Sequence, residues 1–510
     1  MEVELKLLVT SQAAQALQKH PLLKAYATSK PRTLKMSDTY FDTPDLHIRR
    51  SDAGLRVRRV GKIWVQTLKG GGSVDSGLHS RHEWESKVAG PLPDLILLCD
   101  LVDRKSVWSK LLRSQEVAEQ LKPIFTTDIK RRVWLLRLPQ GDEVEFVLDQ
   151  GTIEHDGNKV PISEVELELK SGDPMHLFDF ALALQQDIPM QIGNLSKADH
   201  GYALVATQPL AATKAAPLKL STHMSIEQVF QAISINCLMQ IQVNEAGIRQ
   251  VHDVESLHQM RVGLRRLRSA FGLFKSVLQA PEELQQELDW LSTQLGAARD
   301  WGVLVGATLP AVFVAMPDEC QLAEIQGVAQ EKAHEMHEAA SSAISSPRYT
   351  HLILSLARWV QGCGWRDAMS TQDQNHLTER GNKFARSRLA HEHSLLLKRG
   401  KKLDGASPKT RHRVRIAAKK MRYATEFFQS FHTAKKVLPF IGVLSTLQEE
   451  LGWLNDAVVA DRLLQQLLDR QYNMVASVSF VRGYLASSVK NDDRKVCMLW
   501  KKFVQMELPS

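Results

Sequence analysis

Four separate stretches of this chain place charged residues at every second position with other side chains between them, and this alternation constrains the fold more than any other feature. Glu2, Glu4 and Lys6 flank Val3 and Leu5; Arg81, Glu83, Glu85 and Lys87 form a second stretch; Glu143, Glu145 and Asp149 a third; Glu164, Glu166, Glu168 and Lys170 a fourth. Extended backbone sends successive side chains to opposite faces, so each stretch reads as a strand with one charged face. Arg56 and Arg58 against Leu55 and Val57, with Lys69 beyond, repeat the pattern. In an ordinary half-buried sheet the charged faces would be solvated. So many faces carrying both signs instead favour a sheet closed into a barrel, with the charges lining a channel and the apolar faces outside under helices. Roughly eight strands are expected between Met1 and Thr207, with helices at Ser11–Ala27, Val107–Leu121 and Met175–Gln186, giving an α+β class.

Carboxylates and cations enclosed together need a ligand that satisfies both, because unpaired buried charge is very costly. A metal-bound polyanion does so. Carboxylate oxygens hold Mg²⁺ or Mn²⁺, the cation bridges phosphate oxygens, and Arg and Lys neutralise the remaining phosphate charge.

Residues 206–223, rich in Ala, Pro, Thr and Lys and lacking amphipathic period, read as a linker between a first domain over 1–205 and a helical domain over 224–505. The helical half repeats internally: placing His258 on His412 puts Arg261 on Arg415, Arg265 on Lys419, Arg268 on Arg422 and Phe274 on Phe428. Two related helical bundles are expected. His258, Arg261, Arg265 and Arg268 share one helix face, opposite Leu264, Leu267, Phe271 and Phe274, and His412, Arg415, Lys419 and Arg422 form the same stripe again. A single basic face is usually just solvated. Keeping like-charge repulsion twice at one spacing points to an anion that relieves it.

Lys and Arg number 65 against 57 Asp and Glu, a formal charge of +8, which favours acidic partners such as nucleic acid, an anionic membrane surface or phosphate polymers. Only 6% of residues are aromatic and the stripes carry no interleaved stacking rings, so recognition of phosphate alone is preferred over nucleic acid. Cys99, Cys237, Cys320, Cys363 and Cys497 are scattered and never form Cys-x-x-Cys, against a disulfide framework or thiolate zinc site. Glu2 and Glu4 are wrong for a signal peptide, and no apolar run is read as spanning a bilayer, so the expectation is a soluble cytoplasmic protein. Gly70-Gly71-Gly72 reads as a hairpin tip and not a phosphate loop. His334-Glu335-Met336-His337 misses zinc-protease spacing and reads as a solvated helix face, and His391-Glu392-His393 is likewise a weak metal candidate.

Glu2-Val3-Glu4-Leu5-Lys6 is an ExExK motif. With Tyr40-Phe41-Asp42-Thr43, Leu55-Arg56-Val57-Arg58, Thr67-Leu68-Lys69, Arg81-His82-Glu83-Trp84-Glu85, Leu148-Asp149-Gln150-Gly151, Glu164-Val165-Glu166-Leu167-Glu168 and Ser196-Lys197-Ala198 following in order, residues 1–205 resemble the CYTH or triphosphate tunnel metalloenzyme family. The resemblance implies an eight-stranded antiparallel tunnel that binds a linear triphosphate with divalent metal. By position, Glu2, Glu4, Glu164, Glu166, Glu168 and Asp149 would be metal ligands, without a division among ions. Lys6, Arg56, Arg58, Lys69, Arg81, Arg131 and Lys197 would grip phosphates, with strand register deciding among Lys130, Arg131 and Arg132. Glu4, Lys6, Arg56, Arg58 and Lys197 would carry catalysis. Glu83, Glu85 and Asp149 would either orient the cations or bind a second metal.

His258-Gln259-Met260-Arg261 with Arg265-Arg266-Leu267-Arg268, Leu295-Gly296 with Arg299-Asp300, and their second-half counterparts resemble the CHAD domain, whose members bind inorganic polyphosphate along basic faces. Together the resemblances imply an inorganic triphosphatase that hydrolyses tripolyphosphate to pyrophosphate and phosphate, fused to a polyphosphate-binding module. Thiamine triphosphate hydrolysis, class IV-like adenylyl cyclisation of ATP, or a non-catalytic polyphosphate scaffold are the alternatives.

Overall fold

The strands β1 (Glu2–Val9), β2 (Arg32–Asp42), β3 (Ala53–Val60), β4 (Ile63–Asp75), β5 (Leu78–Val88), β6 (Lys122–Arg137), β7 (Glu143–His155) and β8 (Asn158–Ser171) are antiparallel neighbours in the order β5-β4-β3-β2-β6-β7-β8-β1. Pairing of β1 with β5, through Glu2 opposite Arg81 and Glu4 opposite His79, closes the barrel. A short ninth strand, β9 (Met190–Ile192), adds to the end of β1. This computed structural model describes residues 1–206, 209–315, 322–468 and 474–509. The chain divides into two units, Met1–Pro209 with Pro347–Arg358, and Leu210–Ser346 with Trp359–Ser510.

The register aligns the charged positions on one face: Glu4 opposes Glu168, Lys6 opposes Glu166, Asp149 opposes Glu164, Arg131 opposes Asp149, Asp38 opposes Arg58 and Lys69 opposes Glu83. The other face is apolar. Leu5, Leu7, Phe146, Leu148, Val165 and Leu167 are buried outside the barrel under Leu17, Leu177, Phe178, Ala181 and Leu184. At about 1.5–3 kcal/mol for each large side chain, this outer core is what lets the charges turn inward.

Several local expectations differ from the structure. Ser11–Ala27 is two helices, Ser11–Leu17 and Pro21–Tyr26, because His20 caps the second and Pro21 occupies its first turn. Val107–Leu121 also breaks, into Val107–Leu112 and Gln115–Gln120, where the Ser114 hydroxyl accepts from the Val117 amide. Gly70-Gly71-Gly72 is no hairpin tip: it lies within β4, at a register shift between Gly70 and Ser73, and the turn is Ser76-Gly77, both with positive φ. The glycines are needed for close approach, since a Cβ on Gly72 would sit 1.8 Å from the Ser80 carbonyl oxygen and one on Gly71 2.6 Å from the Trp108 ring. Glu143, expected inside, is exposed at the start of β7 and pairs with Arg137 at 2.8 Å.

In the second unit the helices Val254–Phe274 and Pro408–Phe428 pack against each other. Leu264, Leu267, Phe274, Met421 and Phe428 are buried, whereas Phe271 is half-buried. Contrary to the reading that no apolar run could span a bilayer, the helical run Glu282–Val314 is long and apolar enough to do so by length and composition, as core helices also can be. Its Leu288, Leu291, Leu295, Trp301, Leu304 and Leu309 are buried in the unit. Cys99, Cys237, Cys363 and Cys497 form no disulfide among the described residues, and Cys320 lies outside them.

Candidate functional site

The barrel encloses a cavity of about 290 Å³ lined from opposite walls by Glu2, Glu4, Lys6, Arg56, Arg58, Lys69, Arg81, Glu83, Glu85, Arg131, Glu166, Glu168 and Lys197. The charges fall into two clusters. In the first, Lys6 Nζ donates to Glu164 at 3.1 Å and Glu166 at 2.7 Å. Lys197, first residue of the helix Lys197–Val205, reaches Asp149 and Glu166 at 2.8 Å each and also pairs with Glu164. Arg131 closes the group with two hydrogen bonds to Asp149, at 2.9 and 2.6 Å, and one to Glu166 at 2.9 Å. Register thus selects Arg131; Lys130 is exposed, and Arg132 bonds Gln18 at 2.5 Å. Burial alone would raise the Glu166 carboxyl, but Lys197, Lys6 and Arg131 hold it well below its usual range.

The second cluster centres on Asp38, 1% exposed, which accepts from Arg58 Nε at 2.7 Å, Arg58 Nη2 at 2.9 Å and Arg56 Nη1 at 3.3 Å. Glu83 lies 3.9 Å from Arg56 and 3.4 Å from Lys69, which also bonds Glu2 at 2.5 Å. Glu83 therefore touches two cations of the wall, as an orienting group would.

Glu4 differs from all of these. It is on the cavity wall, yet makes no hydrogen bond or ion pair among the described residues, and burial, with Glu166 beside it, pushes its carboxyl up to about 7. Lys6 and Lys69 offset that shift only in part, and a half-buried carboxylate on a cavity wall that no lysine or arginine pairs with fits a divalent ion, whose charge would reverse it. Glu2, Glu166 and Glu168 line the same space. Asp149, Glu164 and Glu166 also bring their oxygens within 4.8 Å of one another. The ammonium groups of Lys6 and Lys197 already sit among those oxygens, so an ion there would have to displace them.

Sequence reading missed four residues that line this cavity or hold its lining cations. Asp38 holds two arginines. Arg49, on the short helix His47–Arg50, lines the cavity and is fixed because the buried Asp42 carboxylate accepts from the Ile48 and Arg49 amides, at 2.9 Å each, and from Tyr202 Oη at 2.8 Å. Asp199 pairs with Arg49 at 2.5 Å and with Arg81 at 3.8 Å while closing a capping box with Ser196. His79 bonds the Gly193 carbonyl through Nε2 at 2.8 Å, leaves Nδ1 buried without a partner, and is lowered to about 4 by burial and by Lys6. The Ser196-x-x-Asp199 spacing was the one local signal for any of them.

In the second unit the two basic stripes converge. Arg265 Nε lies 3.4 Å from Tyr423 Oη on the other stripe's helix. Burial, with Arg415, Arg265 and Arg299 close by, lowers Lys419 to about 7. Arg261 is lowered to about 10 by burial and Arg265, and burial and Arg265 likewise lower His258. Arg299 pairs with Asp456 at 2.8 and 2.9 Å. The C-terminal members of the stripes are occupied, Arg268 by Asp289 and Arg422 by Glu426, while His412 is exposed.

The family model of the CYTH domain matches residues 1–202 and that of the CHAD domain residues 232–465. The chain is a CYTH–CHAD protein. An inorganic triphosphatase of Haemophilus influenzae is 35% identical over 212 residues, which are 41% of this chain and 56% of that relative, so the chain spans little more than half the relative's length. The crystal structure of the CHAD domain from the plant Ricinus communis is 38% identical with a TM-score of 0.54, covering 59% of this chain and 99% of that one. The first cavity and its ion clusters therefore lie in the CYTH unit, and the converged basic stripes in the CHAD unit.

Proposed function

We propose that the CYTH unit hydrolyses inorganic triphosphate to pyrophosphate and phosphate with Mg²⁺ or Mn²⁺, and that the CHAD unit binds longer polyphosphate. The observation that carries the reading is Glu4, half-buried on the cavity wall and in no ion pair among the described residues, facing Arg56, Arg58, Arg131, Lys6 and Lys197. Glu2, Glu4 and Glu168 would hold the divalent ion, with Glu166 joining them only by giving up one of the cations that engage it. Asp149 and Glu164, enclosed by Lys6, Lys197 and Arg131, hold those cations in place. Bound there, the ion supplies charge neutralisation of the phosphate chain and lowers the pKa of water.

The protein's own part is positioning. Arg56 and Arg58, locked by Asp38, and Arg131, locked by Asp149, present N–H donors to phosphate oxygens without reorganisation. Lys6 and Lys197 neutralise charge that grows on the leaving pyrophosphate. Water attacks the terminal phosphorus in line, the bridging P–O bond breaks, and the two products leave with the charge the chain brought. Among the described lining residues the one phenol or benzene ring is Tyr40, already stacked on Phe125 at 4.4 Å, which favours a phosphate chain without a base or thiamine.

Phosphate release from tripolyphosphate, ATP, thiamine triphosphate and pyrophosphate tests the substrate. Tripolyphosphate should be fastest by at least about tenfold, roughly 1.4 kcal/mol; faster turnover of ATP or thiamine triphosphate would overturn that choice. For the CHAD unit, changing Arg265 and Lys419 together to Ala should lower polyphosphate affinity, and unchanged affinity would contradict the basic face as its site.

A further inference from the structure

Away from the basic stripes, the CHAD unit gathers three side chains of metal-ligating type from two helices. His334 and Glu338 are four residues apart on the helix Leu322–Ile344, so they project from one face a single turn apart. His252 caps the end of the helix Glu245–Val251 in the left-handed conformation, φ 52°, and this backbone turns its ring toward that face. One ligand atom from each of His252, His334 and Glu338 lies within 4.8 Å of the others, and His252 Nε2 is 3.0 Å from a Glu338 oxygen. The His252 ring centroid is 5.8 Å from that of His334 and 5.0 Å from that of His337, whose own Nε2 points to the Ile248 carbonyl at 3.4 Å.

We propose that His252, His334 and Glu338 form a site for a zinc-class transition metal ion, distinct from the tunnel. Two imidazoles and one carboxylate suit Zn²⁺, Co²⁺ or Ni²⁺, whereas the tunnel wall offers mainly carboxylates, with His79 its one imidazole among the described residues, and suits Mg²⁺ or Mn²⁺. Zinc bonds of about 2.0–2.1 Å set neighbouring ligand atoms about 3–3.5 Å apart, the spacing His252 and Glu338 already show at 3.0 Å, so His334, within 4.8 Å of both, is the ligand that closes in by a rotamer change. His252 is 39% and Glu338 50% exposed, which leaves room for a water as a fourth ligand. Such an ion would tie the turn after Val251 to the helix Leu322–Ile344, replacing the shared proton of the His252–Glu338 pair.

The test uses the tag-free full chain with saturating Mg²⁺ to fill the tunnel. Titration with Co²⁺ should give one equivalent with visible ligand-field bands, bleached by one equivalent of Zn²⁺, and Zn²⁺ should raise Tm. His334→Ala and Glu338→Gln, both at exposed positions, should each abolish the bands and the Zn²⁺-dependent rise in Tm with unchanged circular dichroism, while Glu4→Gln keeps both. Wild-type protein without bands, or bands of equal intensity in His334→Ala, would overturn the site. The Tm response of wild type to Zn²⁺ stands as a readout even if a variant folds poorly.

Discussion

Arg58 grips Asp38 through two hydrogen bonds, Nε to Oδ1 at 2.7 Å and Nη2 to Oδ2 at 2.9 Å, across adjacent strands at directly opposed positions. The same carboxylate accepts from Arg56, so one buried acid aims two of the wall's guanidinium groups. Desolvation works against its charge, and the two arginines still hold its pKa below the usual value.

Asp38→Asn should therefore do more than remove a contact. It leaves two half-buried guanidinium groups without the carboxylate that holds them, Arg56 keeping only the more distant Glu83 at 3.9 Å, a loss expected to cost about 3 kcal/mol of stability. The KM for triphosphate should rise by about tenfold or more as the arginines lose their aim, roughly 1.4 kcal/mol or more of binding. Denaturant unfolding and initial rates check both, and wild-type values would remove Asp38 from the positioning role.

Glu4 gives a pH signature. Its carboxyl in the folded chain, pushed up to about 7, lies above the ordinary 4.5, so the folded protein holds a proton that the unfolded chain releases between those values. The stabilising contribution is complete below 4.5 and lost as pH rises through 7. Metal-free wild type should thus lose stability from pH 5 to 8 relative to Glu4→Gln. With Mg²⁺ the ligand must be deprotonated, so apparent metal affinity should fall by about tenfold per pH unit below 7. Parallel pH dependences in the two proteins would contradict this.

Lys419 has the opposite sign. Its pKa is depressed from 10.5 to about 7 by burial and the neighbouring Arg415, Arg265 and Arg299, so above pH 7 the folded CHAD unit lacks a proton that the unfolded chain carries. A bound polyanion favours the protonated ammonium. Polyphosphate binding at pH 8 should take up protons, and affinity should fall as pH rises from 6 to 9. Calorimetry in buffers of different ionisation enthalpy measures the uptake, which Lys419→Gln should reduce.

Gly72 and Gly61 both have positive φ, 99° and 61°, but only Gly72 has a neighbour in the space of a Cβ, the Ser80 carbonyl oxygen at 1.8 Å. Gly61→Ala should cost about 1 kcal/mol, the ordinary penalty for the left-handed conformation. Gly72→Ala should cost more than that, since β4 and β5 must separate at the bulge. Equal thermal shifts would contradict the close approach.

The barrel was legible because alternation of charge at Glu2, Glu4 and Lys6 and at Glu164, Glu166 and Glu168 fixes face, and each ordered motif falls on a strand or helix start of the tunnel. Asp38 escaped notice because β2, Arg-Thr-Leu-Lys-Met-Ser-Asp-Thr-Tyr-Phe-Asp, shows no charge alternation, and the acid's role depends on partners one strand away. Asp199 was passed over although the Ser196-x-x-Asp199 spacing marks a capping box, and its carboxylate, besides completing that box, also meets Arg49 and Arg81. The glycine run misled because a turn and a bulge draw on the same conformational freedom, and only packing against Trp108 and Ser80 tells them apart. The convergence of the two basic stripes on one place was likewise beyond a repeat read along a single chain.

The central claim rests on charge of both signs meeting at a phosphate chain inside the barrel. Its most direct test is Mg²⁺-dependent turnover of tripolyphosphate by wild type and Glu4→Gln side by side, with pyrophosphate and phosphate quantified. Wild type should release them in equal amounts, and Glu4→Gln should lose at least about a hundredfold in rate, roughly 2.7 kcal/mol of transition-state stabilisation, while melting no lower than wild type. Equal rates in the two proteins would contradict the account.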